Sequence, residues 1–562
     1  MKHSQPRRHR AQSPGRSEAI YRSLTLILAG LLLSTAGCAP RKPANHPRSP
    51  AVRRADFVDI ALRSGLKFSW TNHSRGPWTN IESFGCGCAF VDYDNDGWMD
   101  ILLVGRPRCA LFHNNHNGTF TDVTARAGIT QEGAWTGVAV GDYDNDGYED
   151  IYVSGFHCSM LLHNDGHGGF KDVTRRAGLN ETQWGTSCAW IDADNDGRLD
   201  LLVGHYVITG PGYPKFCPSP TGVLLGCRPE VYPPQFPRLY HNNGNGTFSN
   251  VTIQSGLGMA HGKALAIQTG DFDNDGKTDF YIANDGVAGD MFHNLGGGRF
   301  ENVSFQQGTA FDARGLAQAG MGVDFADYDH DGTLDMVVTA FQNETFSLYQ
   351  QRAGLYSLTS TAAGLASTTG YLGFGVKFFD YDNDSWPDLV FANGHVYNNV
   401  RQVYPNVGFR QPLLLFHNDH GYFHRVVDAG PAFQKKIVGR GIAVGDVMND
   451  GNQELLVVDY DGRPMLIRNR RPGHNHWLGV KLVGARSNRD GYGARVTVRW
   501  PGGKSFADCS AAGSYLSSMD PRLHFGLAGA IKVTAVEVRW PSGHVQTLHP
   551  RGVDRYITIR ES

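Results

Sequence analysis

The sequence predicts an all-β protein, a seven-bladed β-propeller with a C-terminal β-sandwich-like domain. Three observations predict it. An acidic phrase, DxDxDGxxD, is written seven times between Asp92 and Glu454. A second phrase of the form FxDVT followed by a Gly-containing turn alternates with it, and after Arg471 the pattern changes to strictly alternating strands. A few short strands recurring about every 40–50 residues cannot bury their faces alone, so such units stack around an axis.

The first 37 residues read as a secretory signal. Arg7, Arg8, Arg10 and Arg16 precede an apolar run from Leu24 to Leu33, which falls short of the about 20 residues a membrane span needs. Its end, Ala36-Gly37-Cys38, resembles the lipobox of bacterial lipoproteins, in which the Cys is lipidated, becomes the mature N-terminus and tethers the chain to a membrane. Thr35 stands where that pattern usually has Leu, so cleavage without a lipid stays open. On either route the protein is exported, to the periplasm, the outer envelope or the extracellular space. Residues 38–54 form a linker.

Residues 55–471 carry the propeller. The acidic copies begin at Asp92, Asp142, Asp192, Asp271, Asp327, Asp380 and Asp446, spaced 50, 50, 79, 56, 53 and 66 residues apart. Apolar-His-Asn segments with Gly-rich turns, such as Leu111 to Gly118, read as hairpins, so each unit is several strands plus one acidic loop. Phe57-Val-Asp59 is the FxDVT phrase standing alone before the first loop, and no such phrase follows the seventh. The N-terminal strand should therefore complete the last blade and seal the ring. Two long spacings mark insertions, Tyr206 to Phe236 and Gly394 to Pro412, and these are the candidate partner surfaces. Residues 472–562 hold two near-copies, Val496 to Gly503 and Val536 to Gly543, which suggest a small antiparallel β-domain.

Four carboxylates within nine residues repel unless a cation joins them. At about 4 Å two unit charges cost roughly 4 kcal/mol at an effective dielectric near 20. All-oxygen ligation on a flexible loop suits Ca2+ better than Mg2+. The expected ligands are Asp92, Asp94, Asp96 and Asp100; Asp142, Asp144, Asp146 and Asp150; Asp192, Asp194, Asp196 and Asp200; Asp271, Asp273, Asp275 and Asp279; Asp327, Asp329, Asp331 and Asp335; and Asp380, Asp382, Asp384 and Asp388. Five copies are intact. Ser385 replaces Gly in the sixth, and Met448 and Glu454 degrade the seventh, which should bind weakly or not at all. An EF-hand is rejected: position 12 of the first three copies is Leu103, Val153 and Val203, where that loop needs Glu, and a strand pattern follows each loop.

The formal charge of −2 offers no basic field, so no nucleic-acid partner is expected. The eight cysteines beyond Cys38 permit disulfides without fixing their pairing, and Cys86-Gly-Cys88 reads as structural thiols rather than a redox or soft-metal pair. His113, His163, His241, His293 and His417 recur at one hairpin position and read as a packing or hydrogen-bonding feature rather than as ligands; His205 and His395, beside the insertions, are slightly stronger ligand candidates. No catalytic signature stands in a fitting context.

The acidic loops with their strands resemble the FG-GAP and VCBS repeats of integrin-type propellers. The segment from Tyr492 through Leu523-His-Phe-Gly526 to Val538-Arg-Trp540-Pro-Ser-Gly543 resembles the ASPIC/UnbV domain. Together they resemble the cartilage acidic protein and UnbV-like family, which implies calcium in the propeller loops, an extracellular or envelope location, and a binding or adhesive role toward a protein or glycan. The alternative is an envelope enzyme acting on glycans or a secondary metabolite at the propeller mouth near Tyr206 to Phe236. A deep axial pocket with converged polar groups favours the enzyme, and a flat aromatic face favours binding.

Overall fold

The computed structural model describes residues 55–70, 76–470 and 473–562. The expected signal, the linker and Cys38 lie outside them. Seven four-stranded antiparallel sheets form the blades. The first is built from Cys88–Val91, Asp100–Leu103, Ala110–Asn114 and Phe120–Asp122. Inner strands such as Trp135–Gly141 are buried at every residue because a blade lies on each face, which is why they read as unbroken runs of small and apolar side chains. Outer strands bury one aromatic and expose the rest, as Phe120 does beside Thr121 and Asp122. The last blade comprises Gly439–Gly445, Glu454–Asp459, Met465–Asn469 and, across Phe57↔Asn469 and Asp59↔Ile467, the N-terminal strand Phe57–Asp59. The ring closes as expected.

Neighbouring blades are stapled by the amide that ends each third strand. Asn114 Nδ2 donates to Val447 O at 2.9 Å, Asn164 to Tyr93 O at 2.8 Å, Asn242 to Tyr143 O at 2.7 Å and Asn418 to Tyr328 O at 2.8 Å. Each accepting carbonyl belongs to the second position of the preceding acidic loop. The Asn of the His-Asn pair thus satisfies a buried carbonyl that no strand reaches.

After Gly473 two sheets pack face to face. One holds Leu523–Gly526, Trp477–Val483 and Arg555–Arg560, the other Gly503–Asp508, Arg495–Trp500, Ala535–Arg539 and Val545–Leu548, with Val480, Val496, Val498, Val536 and Val538 buried in their shared core. The expected all-antiparallel pairing is corrected at one place: Trp477–Val483 and Arg555–Arg560 run parallel. Arg555–Arg560 follows a strand of the other sheet, so no hairpin fixes its direction.

This domain does not stand apart. The chain from Arg53 onward is one compact unit. Residues 509–520 enter the propeller axis and pair with inner strands of several blades. Ser514 N and O bond to Val323 at 2.7 and 3.1 Å, Ser518 N donates to Cys88 O at 3.0 Å, and Val138 N donates to Leu516 O at 3.1 Å. Tyr515 and Leu516 are fully buried at the far end. Inner strands are the sheet edges that face the channel, and the plug occupies their free donors and acceptors. It also accounts for Cys86-Gly87-Cys88: a Cβ on Gly87 would lie 1.7 Å from Leu516 O. Burial pushes the Cys88 thiol up to about 12, which suits a packing role rather than redox chemistry.

Candidate functional site

Each acidic loop joins an inner strand to the second strand of its blade. In the first loop Asp92 accepts Gly97 N at 3.2 Å, Asp96 Oδ1 accepts Trp98 N at 2.8 Å, and Asp100 accepts Tyr93 N at 3.3 Å and Asn114 N at 2.7 Å. Positions four and six are both left-handed, Asn95 at φ 56° and Gly97 at φ 85°, which is why Asn and Gly fill them. Ser385 takes the same conformation at φ 80°. Ser385→Gly is expected to raise stability by about 0.5–1 kcal/mol in urea unfolding. A loss of stability would show that the Ser backbone is unstrained.

The position-four side chains link loop to loop. Asn95 donates to Gly147 O at 2.6 Å, Asn145 to Gly197 O at 2.9 Å, Asn383 to Gly451 O at 3.1 Å and Asn449 to Gly97 O at 3.1 Å, while His330 meets Ser385 O at 2.9 Å. An ion that orders one of these linked loops therefore bears on its neighbour.

Acids from positions three, five and nine converge with a histidine. Asp94 and Asp96 with His113, Asp144 and Asp146 with His163, Asp194 and Asp200 with His241, Asp273 and Asp275 with His293, and Asp382 and Asp384 with His417 each bring ligand atoms within 4.8 Å of one another. Position-one acids are turned to the loop backbone. Asp92 and Asp142 are buried, holding the loop amides of Gly97 and Gly147.

The recurring histidines stand against the loop acids. His113 Nδ1 stands 3.3 Å from both Asp94 and Asp100, and His417 Nδ1 3.1 Å from Asp388. The signal was present in the hairpin: Ile101 pairs with Phe112, which sets His113 opposite Asp100. In the seventh loop Arg468 takes that place and its guanidinium pairs with Asp450 and Glu454. Arg468 is thus a fixed counter-charge to the acids of that loop. The fifth loop has Arg352 2.9 Å from Asp329.

Burial, aided by neighbouring carboxylates, pushes Asp100 and Asp335 up to about 9 and Asp150 and Asp279 to about 7. Asp94 Oδ1 and Asp327 Oδ1 are buried without hydrogen-bond partners. Clustered hard oxygens held at this electrostatic cost fit a divalent cation. The C-terminal domain covers this face. Asp490, Asp508 and Asp520 accept the leading amides of Asp142, Asp271 and Asp446 at 2.8, 3.0 and 3.3 Å, and Lys481 lies 3.3 Å from Asp92.

The opposite mouth is open. A cavity of about 840 Å³ lies between the two insertions, floored by the plug residue Tyr515. The Cys217–Cys227 disulfide ties one wall, and Glu230, Asp285, Glu344, Tyr397 and Tyr404 line it. His205 and His395 flank it without acting as an exposed pair. His205 is fully buried, 3.4 Å from Glu181, and His395 is buried with burial depressing its pKa to about 3.

Glu181 also meets Arg238 at 2.9 Å. Against burial, which alone would raise it, His205, Tyr240 and Arg238 hold Glu181 at about 2. A depressed carboxyl contributes stability that is present above pH about 4.5 and lost as pH falls toward 2. Glu181→Ala should cost about 3–5 kcal/mol at pH 7, because it leaves Arg238 and the buried His205 without their acceptor. A loss below about 1 kcal/mol in urea unfolding would contradict this.

A ring of four-stranded blades with acidic inner loops, capped and plugged by a C-terminal β-domain, defines an FG-GAP-type propeller. Residues 92–153, 159–203, 231–282 and 271–338 match the FG-GAP-like repeat, and residues 484–562 match the ASPIC and UnbV family. The chain belongs to the proteins that join FG-GAP-like repeats to a C-terminal ASPIC and UnbV domain. It is 25% identical over 305 residues to cartilage acidic protein 1 of Xenopus tropicalis, and 27% identical over 273 residues to that of Mus musculus. Those matches cover 53% and 47% of this chain but only 45% and 40% of the relatives. Among solved structures it resembles an Agrocybe aegerita lectin that recognises non-reducing terminal N-acetylglucosamine, at 17% identity over 66% of this chain and 85% of that one, TM-score 0.39. It also resembles a rhamnogalacturonan lyase of Bacillus licheniformis, at 10% identity over 75% and 76%, TM-score 0.35. Likenesses of that size carry no functional argument. Among the described residues no helix is long and apolar enough to cross a membrane.

Proposed function

We propose that the protein is an exported, calcium-stabilised propeller that acts as a binding or adhesion module toward a protein or glycan, tethered to a membrane where Cys38 is lipidated. The observation that carries the reading is the repeated convergence of carboxylates with a histidine in five loops. Ca2+ would be held by the acids of positions three, five and nine, and its role is structural: it removes the repulsion that burial imposes and fixes the blades whose far mouth meets the partner. The likeness to cartilage acidic protein 1 supports location outside the cytoplasm.

The enzyme reading is supported by the depth of the open cavity, where Tyr206 donates to Asp285 at 2.6 Å and burial pushes Asp285 up to about 6. The hydroxyls there weigh against acyl transfer, since Ser83 bonds to Asn80 O and Ser219 to Thr221 rather than to a base. The test is retention. The mature chain, immobilised with Ca2+, should retain a discrete component of envelope or matrix extract and release it into chelator. An extract component that passes through unretained in both conditions would end the reading.

A further inference from the structure

The cavity at the open mouth has the chemistry of a site for a neutral, hydroxyl-rich ligand. Its acids are balanced by nearby cations. Asp285 feels Lys263 as well as Glu230 and Glu344, Arg228 lines the wall, and the buried Arg440 lies beneath the floor with its guanidinium 4.0 Å over Phe374. Arg440 donates to the carbonyls of Ser83, Gly394, Gly439 and His395, so its charge is solvated by backbone dipoles inside the floor. Three carboxylates and Arg228 line the cavity while Lys263 and Arg440 stand behind it as balancing charge, so the lining itself offers many strong hydrogen-bond acceptors.

The remaining lining is aromatic and amide. Tyr206, Phe341, Tyr397 and Tyr404 supply rings, and Gln342 and Asn343 supply amides. Gln342 is only 8% exposed, and its Oε1 is buried with no hydrogen-bond partner. An orphaned buried acceptor costs about 1–3 kcal/mol, which an incoming donor recovers. Rings for the apolar face of a sugar, carboxylates and amides for its hydroxyls, and a volume near the upper part of the range of about 300–1,000 Å³ typical of ligand sites all suit a short saccharide. Cys217–Cys227 holds the wall in shape before any ligand arrives.

We propose that this cavity binds a neutral oligosaccharide of two or three units. The proposal rests on the reading of the protein as a binding module and names what its open mouth takes. The test uses the mature chain with Ca2+ on an array of neutral and charged glycans, with spermidine and a lysine-rich peptide as cationic probes. Wild type should bind at least one neutral glycan, and Asp285→Asn and the half-exposed Tyr404→Ala should each weaken it at least about tenfold. Asp285→Asn keeps an acceptor for Tyr206, and Tyr404→Ala touches no core, so both variants should keep the wild-type melting curve. Binding of the cationic probes alone, or of no glycan, overturns the proposal. A neutral glycan retained equally by both variants also overturns it while leaving the binding-module reading intact.

Discussion

Excess chelator at pH 7.5 should lower the melting temperature of the mature chain by roughly 10–15 °C. A ligand at about 100 times its dissociation constant contributes about 2.7 kcal/mol per site, so five sites contribute about 13 kcal/mol. Unfolding entropy of about 2.1 cal/mol/K per residue makes 1 kcal/mol worth roughly 1 °C in a unit of this size. The effect should depend on pH with a definite sign. Without the ion, Asp100 and Asp335 at about 9 and Asp150 and Asp279 at about 7 bind protons in the folded state that the unfolded chain, with carboxyls near 4, has already released. The native state then holds more protons between pH about 4 and 9, and stability falls as pH rises through that window. His417, raised to about 9 by its carboxylate neighbours against the desolvation that lowers it, acts in the same direction. The chelated protein should therefore melt progressively lower from pH 5.5 to 8.5, while the calcium-loaded protein stays level. Scanning calorimetry at three pH values reads both curves, and parallel curves would contradict the assignment of the raised carboxyls to the ion sites.

Truncation after Arg470 should have a comparable or larger effect. It removes the plug, which leaves the inner-strand donors and acceptors of several blades without partners and uncovers the acidic face that Lys481, Asp490, Asp508 and Asp520 hold. Burying Tyr515 and Leu516 alone contributes about 1.5–3 kcal/mol each. The intact chain should unfold in one cooperative transition, and the truncated propeller should show none above 25 °C or melt at least about 15 °C lower. Leu516→Ala, costing about 2–5 kcal/mol, gives a graded version that still folds. Two separate transitions in the intact chain, or a truncated ring as stable as the whole, would show that the regions divided near residue 471 fold independently.

What the residues disclosed follows from where their partners lie. The acidic loops were legible because their spacing is local and the Asn and Gly at positions four and six answer to backbone conformation alone. Ring closure by Phe57–Asp59 was legible because one phrase was misplaced by a whole ring. The plug was not: Cys509 to Asp520 shows no alternation, and its partners, such as Cys88 and Val138, lie hundreds of residues away. The role of His113 and its equivalents was half legible, since the hairpin was read but its register was not carried through to Asp100. The cavity was anticipated only as two insertions, because Asp285 and Gln342 belong to other blades and carry no local mark of a site.

The most direct test of the whole account is metal content. Mature protein dialysed against micromolar Ca2+ and measured by atomic emission should carry at least five Ca2+ per chain, falling by one for each loop whose third and fifth acids are changed to Asn. A chain that retains fewer than one, with unaltered melting in chelator, would mean that histidine and arginine counter-charges alone hold the loops and that calcium has no part in closing the ring.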